Sequence, residues 1–272
     1  MTRSAFFISD STGITAEALG QSLLAQFDVH IEKTVLPFVD TEEKAQRAVE
    51  RINAAAERDG AAPLVFDTIV NKEIRSIIAA SEGVLLDIFA TFLAPLENAL
   101  GVPYNLNVGR AHANPKVGNY QRRIDAINYA LDNDDGARVN RYDQAQIILT
   151  GVSRTGKTPT CIYMAMQHGI FAANYPLTED DLETARLPKP LQEHRHKLYG
   201  LTIQPQQLSA IRAERRANSR YATLSQCEDE VRLAERLFSR NGIRYIDSTY
   251  TSVEELATKI LVDVGLREYL VL

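Results

Sequence analysis

The 272-residue sequence predicts an α/β fold, with mainly parallel sheets and flanking helices. Two observations carry this. Short apolar runs alternate with segments of helical period along the whole chain, and hydroxyl- and glycine-rich turns, Asp10-Ser11-Thr12-Gly13 among them, stand where a run hands over to a helix. Strands that alternate with helices imply right-handed βαβ crossovers, and in such sheets ligands bind at the carboxyl ends of the strands.

The elements follow in order. Residues 5–9 are an apolar run and a first strand; after it Ile14, Ala18, Leu19, Ser22 and Leu23 recur at helical spacing. Residues 31–39 predict a second strand, and Thr41 caps a charged amphipathic helix that Gly60 ends. A third strand spans 64–69, a third helix 71–80, and a fourth strand 84–89 precedes a helix that stops before Gly101-Val102-Pro103. Residues 101–119 hold three Gly and two Pro without a period and read as a long loop. His112 in that loop, between Arg110 and Lys116, fits a site residue and a plain loop histidine equally. A helix over 120–131 is closed by Asp132-Asn133-Asp134-Asp135-Gly136. That acidic run is no EF-hand, because Gly136 takes a ligand position and no Glu stands at the twelfth place. Further strands are expected at 145–150, 170–175, 197–203 and 243–247, with helices between and after. The domain boundary is placed near 135–141, giving domains 1–140 and 141–272.

Composition narrows the class. With 45% hydrophobic and 24% charged residues, 14 Gly and 10 Pro, the chain is neither collagenous nor disordered. No apolar run approaches the ~20 residues a bilayer span needs, and the start lacks a cleavage site, so no signal peptide is expected. Two cysteines, Cys161 and Cys227, without secretory features point to a reducing, cytoplasmic setting, and nothing around them has metal-ligand spacing. A net charge of −5 argues against nucleic-acid and membrane partners.

One motif carries chemistry. Gly151-Val152-Ser153-Arg154-Thr155-Gly156-Lys157-Thr158 matches G-x-x-x-x-G-K-[ST], between a strand-like run and a helical segment that Gly169 stops. The glycines let consecutive N–H groups turn inward onto phosphate oxygens, and the helix that starts there adds the positive end of its dipole. Lys157 can reach terminal phosphates, the Thr158 hydroxyl can ligate Mg²⁺, and the Arg154 guanidinium can fork two phosphate oxygens. All eight residues are candidates for nucleotide binding, and Lys157, Arg154 and Ser153 for catalysis. The C-terminal half is therefore expected to be a P-loop, kinase-like domain.

Three other features are ambiguous. From 186 to 220 eight Lys/Arg face two acids, and Arg212, Arg215, Arg216 and Arg220 stand mostly three or four apart, which suits a phosphate-clamping lid or a solvated basic face. Asp247, at the end of an apolar run, is a weak candidate for the Mg²⁺ acid and fits a plain capped turn better. Asp10, Ser11 and Thr12 suit a second phosphate or a base, or an ordinary helix cap.

Taken together, Asp10 to Gly20, the Gly118-Asn119-Tyr120-Gln121-Arg122-Arg123-Ile124-Asp125 stretch, Asp134-Asp135-Gly136, the Gly151 to Pro159 loop and Ala172-Ala173-Asn174-Tyr175-Pro176 resemble the bacterial regulatory proteins of pyruvate,phosphate dikinase and phosphoenolpyruvate synthase. The resemblance spans nearly the whole chain and is closer to the phosphoenolpyruvate synthase branch. It implies a bifunctional enzyme that uses ADP to phosphorylate a threonine of its dikinase target and inorganic phosphate to remove that group, releasing pyrophosphate. It leaves room for a homodimer. Two rivals stay open on the residues alone: a small-metabolite kinase using ATP, and a nucleotide sensor without catalysis. The 140 residues ahead of the phosphate loop speak against the first and Arg154 against the second.

Overall fold

The computed structural model describes residues 3–104, 117–184, 186–217, 219–266 and 269, and divides into two compact units, Met1–Asn114 and Pro115–Leu272. In the first unit β1 (Arg3–Ile8), α1 (Ile14–Leu24), β2 (Ile31–Leu36), α2 (Glu42–Asp59), β3 (Leu64–Asp67), α3 (Lys72–Ala79), β4 (Val84–Asp87) and α4 (Ile88–Leu100) alternate without exception. The four strands form one sheet in the order β2-β1-β3-β4, every pair parallel.

The apolar run of β1 is central because both of its faces are covered. Phe6 and Ile8 pack with Ala45, Ala48 and Ile52 of α2 and with Ile74 and Ile78 of α3, while Ala5 and Phe7 pack with Ala16 and Leu24 of α1 and with Phe66. The helix starts use the expected polar caps. Thr41 Oγ1 accepts from Lys44 N–H at 3.3 Å, and Asn71 Oδ1 accepts from Glu73 and Ile74. β4 runs straight into α4, with Asp87 both ending the strand and accepting from Ala90 N–H at 2.8 Å.

The second unit holds α5 (Val117–Asp132), β5 (Ile147–Gly151), α6 (Lys157–His168), β6 (Ala172–Pro176), α7 (Glu179–Thr184), α8 (Lys189–Gln192), β7 (Leu198–Thr202), α9 (Pro205–Arg215), α10 (Leu224–Asn241), β8 (Tyr245–Asp247) and α11 (Val253–Asp263). Its sheet, again all parallel, has the order β6-β5-β7-β8. Each unit thus repeats one strand order, the second strand in sequence lying beside the first and the third on its other side, although the sequence shows no repeat. The α/β class with parallel sheets and flanking helices is borne out. In such a sheet the order reverses beside the first strand, which opens a crevice at its carboxyl end; in the second unit that strand is β5.

The units part at 114/115 and not at 140/141. The reason is α5, whose Ala126 and Ala130 are buried among Cys161, Met164 and Ala165 of α6. Arg122 ties the same helix down, its Nε donating to the Gly169 carbonyl at 3.0 Å and its Nη2 to Gln146 Oε1 at 3.1 Å. An isolated amphipathic helix does not declare which sheet it will cover. The expected loop over 101–119 and His112 lie largely outside the described residues, and α5 begins at Val117. Among the described residues no helix is long and apolar enough to cross a membrane. Cys161 and Cys227 are buried free thiols, and burial pushes both above the ordinary thiol range, so neither is poised as a nucleophile.

Candidate functional site

At the crevice of the second unit, β5 ends on Gly151 with φ 153°, where an added Cβ would lie 2.3 Å from the Leu201 backbone oxygen. Only glycine lets the chain leave the sheet this close to β7. The loop then folds over its own Val152 carbonyl, which accepts from the Thr155 hydroxyl at 3.1 Å and from Lys157 Nζ at 2.8 Å. Arg154 takes a left-handed φ of 78°, rare for a non-glycine residue, and its side chain is exposed. Gly156, with φ 87°, starts α6 without any capping side chain, so the first N–H groups of that helix are not taken up by a cap. Backbone donors at a helix N-terminus beside a buried cation make a receptacle for an anion.

Lys157 is buried, and burial pulls its ammonium down from 10.5 to about 8, against the opposing pull of Asp135 and Asp134. A buried cation whose hydrogen-bond partner is a neutral loop carbonyl is matched to an incoming phosphate oxygen better than to the interior it occupies.

Thr158 Oγ1 donates to Asp134 Oδ1 at 2.8 Å. The same carboxylate oxygen accepts from Asn174 Nδ2 at 2.5 Å, and Asn174 Oδ1 accepts from the Asp135 N–H at 3.1 Å. Asn174 is fully buried on β6, opposite Leu149 of β5 in the parallel register, so sheet pairing carries it to the loop. Asp135 has a left-handed φ of 47° and an exposed side chain. Asp134, Asp135 and Asn174 were not named as site residues from the sequence: their stretches entered as parts of the family resemblance, and the chemistry of the acidic run was weighed only as a calcium loop or a closing turn. A hydroxyl paired with a carboxylate, both hard oxygen donors, fits Mg²⁺, which is held by one or two protein oxygens together with substrate phosphates. No group of three or more His, Cys, Asp or Glu that could hold a metal occurs among the described residues.

The other candidates belong to other elements. Asp247 ends β8, two strands from β5, and its Oδ1 accepts from the N–H and hydroxyl of Thr249. Asp10, Ser11 and Thr12 belong to the first unit; Asp10 is nearly buried and its Oδ2 accepts from Val70 N–H at 2.7 Å. The expected basic face of Arg212, Arg215, Arg216 and Arg220 does not exist as one surface. Arg212 is fully buried and paired with Glu230 at 2.6 Å, Arg215 and Arg216 are exposed at the end of α9, and Arg220 sits on a separate 3-10 turn. Helical spacing placed the four together, but α9 presents Arg212 to α10, where Glu230 supplies a countercharge.

A curated relative from Pseudomonas aeruginosa (strain LESB58) is 59% identical over 266 residues, 97% of each chain. One from Ectopseudomonas mendocina (strain ymp) is 58% identical over 271 residues, 99% of this chain and 100% of the relative. Both carry, by inference, the name phosphoenolpyruvate synthase regulatory protein. The model of the kinase/pyrophosphorylase family matches residues 5–261, and the chain belongs to that family.

Proposed function

We propose that the protein is a bifunctional regulator of phosphoenolpyruvate synthase (pyruvate, water dikinase) that acts in the cytoplasm. In one direction a threonine hydroxyl of the synthase attacks the β-phosphorus of ADP; the P–O bond to AMP breaks, the hydroxyl proton leaves to a base, and the synthase is inactivated. In the other, an oxygen of inorganic phosphate attacks the phosphothreonine phosphorus, the P–O bond to the threonine breaks, the threonine oxygen takes back a proton, and the pyrophosphate so formed departs. ADP, inorganic phosphate and Mg²⁺ are the small molecules required.

The observation that carries this reading is the buried Lys157 beneath a phosphate loop whose Thr158 hydroxyl is already aligned on Asp134. Residues 151–158 would hold the two phosphates of ADP through backbone N–H groups, with Lys157 and Arg154 facing the transferring group. Thr158 and Asp134 would hold Mg²⁺, which neutralises phosphate charge when bound. Asp134 is occupied by two hydrogen bonds, whereas Asp135 projects an exposed carboxylate beside Lys157, so Asp135 is assigned as the base that takes and returns the threonine proton. Both directions pass a phosphoryl group between the threonine oxygen and a phosphate oxygen: AMP is the leaving group in one, and in the other inorganic phosphate attacks and the threonine oxygen leaves. The names of the relatives favour phosphoenolpyruvate synthase as target.

The test is incubation with purified phosphoenolpyruvate synthase and ADP labelled at its β-phosphorus. Label on a synthase threonine, with one AMP formed per phosphate transferred, is expected. Label only on pyruvate,phosphate dikinase would move the target, and ATP-dependent phosphorylation of a small alcohol without any protein target would overturn the proposal.

A further inference from the structure

The phosphate loop is gripped from its outer side by residues that the chemistry above does not use. Arg212, buried in α9, donates through Nη2 to Glu230 Oε2 at 2.6 Å and to the Ser153 carbonyl at 3.2 Å, and through Nη1 to the Tyr221 carbonyl at 3.1 Å. Its guanidinium carbon lies 4.1 Å from the centroid of the Tyr221 ring. Gln226 extends the seat, donating to Glu230 Oε1 at 3.0 Å and to Glu179 Oε1 at 2.8 Å. Tyr221, fixed in this way, donates from its phenol to Ser153 Oγ at 3.0 Å.

Ser153 is thereby held twice, at its carbonyl by Arg212 and at its hydroxyl by Tyr221. The first contact sets the backbone just before the left-handed Arg154. The second has a chemical consequence. A serine hydroxyl has a single hydrogen and two acceptor lone pairs, and a phenol, the stronger acid, is the natural donor of the pair. With Tyr221 donating into one lone pair, the hydrogen of Ser153 is left to point away from it, and a serine in a phosphate loop can then only serve a bound anion as a donor. A merely structural brace would need the Arg212–Ser153 carbonyl contact but no bond to the serine side chain.

We propose that Tyr221, seated on the Arg212–Glu230 pair, is a positioning residue that fixes the Ser153 hydroxyl as a hydrogen-bond donor to the phosphate bound by residues 151–158. This rests on the reading of that loop as the nucleotide site. It makes Ser153 a binder of the transferring or attacking phosphate and assigns Tyr221 to the same site without direct contact.

Tyr221→Phe tests it, since the ring remains over Arg212 and only the phenol is lost. ADP affinity is measured by calorimetry, and the KM for inorganic phosphate in the dephosphorylating direction, for wild type, Tyr221→Phe, Ser153→Ala and the double variant, each below its own melting temperature. Loss of about three- to tenfold in ADP affinity is expected for each single variant, the net worth of one hydrogen bond, with KM for phosphate rising in parallel. The double variant should be no worse than Ser153→Ala alone. Wild-type affinity in Tyr221→Phe, or losses that multiply in the double variant, would overturn the proposal. Lys157→Ala serves as the control for the site: if it binds ADP as well as wild type, the nucleotide reading of the loop fails, whereas its loss of binding beside an unaffected Tyr221→Phe removes only the role of Tyr221.

Discussion

Replacing Lys157 with methionine should make the unliganded protein more stable while abolishing its reaction. Lys157 is 5% exposed, and burial has lowered the pKa of its ammonium from 10.5 to about 8. At about 1.4 kcal/mol per factor of ten, holding it charged in the folded protein costs about 3 kcal/mol at pH 7. Its hydrogen-bond partner is the Val152 carbonyl, which also accepts from Thr155 and so keeps a donor when the lysine is gone. Methionine fills nearly the same volume without the charge, so a gain of about 2 to 3 kcal/mol is expected at pH 7. The pH dependence gives the sign independently. Because the folded value is depressed, the unfolded chain binds more protons between pH 8 and 10.5, wild-type stability rises through that window, and the penalty is fully present below pH 8. Urea denaturation of both proteins at pH 7 and pH 10 measures it: the advantage of Lys157→Met should shrink as pH rises. A variant less stable than wild type at pH 7, or a difference that does not change with pH, would refute the reasoning. Phosphate and ADP should bind wild type with proton uptake above pH 8, seen as a buffer-dependent binding enthalpy.

Asp135→Asn should retain ADP binding within about twofold and lose about 10²- to 10⁴-fold in transfer rate, the usual worth of a positioned base, as read by labelled transfer at saturating ADP. Arg154→Gly relieves a left-handed non-glycine residue, so its melting temperature should hold or rise while transfer falls by an order of magnitude or more. Gly151→Ala forces a Cβ onto the Leu201 backbone oxygen and should cost about 2 to 4 kcal/mol in denaturant unfolding, together with ADP binding. In the first unit, Asp67 is buried with Oδ2 unpartnered, and burial raises it from 3.8 to about 6. The folded protein then binds the extra proton between those values, so stability falls as pH rises through 6, and Asp67→Asn should gain about 1 to 2 kcal/mol at pH 7 and lose that gain below pH 4.

Local pattern was enough wherever a residue's role is decided by its neighbours in sequence. The apolar runs of β1 and β5, the Thr41 cap and the glycine-flanked turn between β5 and α6 are contiguous, and each fell where expected. Residues whose role is set by tertiary pairing were not readable. Asp134 meets Thr158 only because β6 pairs with β5 and brings Asn174 up beside it, and nothing in the spacing marks that closure. Arg212 has the same helical spacing as its neighbours, yet it turns inward because Glu230 of another helix neutralises it. Helix α5 belongs to the second sheet because its alanines fit against α6, a matter of shape that hydrophobic period does not encode. The duplicated strand order of the two units is likewise invisible in sequence, since parallel α/β topology tolerates wide substitution in its strands.

Supplying labelled inorganic phosphate to unlabelled phosphorylated phosphoenolpyruvate synthase, and following the label to product, puts the phosphate loop to the sharpest test. With wild-type protein the label should appear in pyrophosphate while the synthase regains activity, and Lys157→Met should release nothing, though folded. Unlabelled phosphate released by water in place of labelled pyrophosphate, or full activity in Lys157→Met, would contradict the assignment of residues 151–158 as the site at which the phosphoryl group is exchanged.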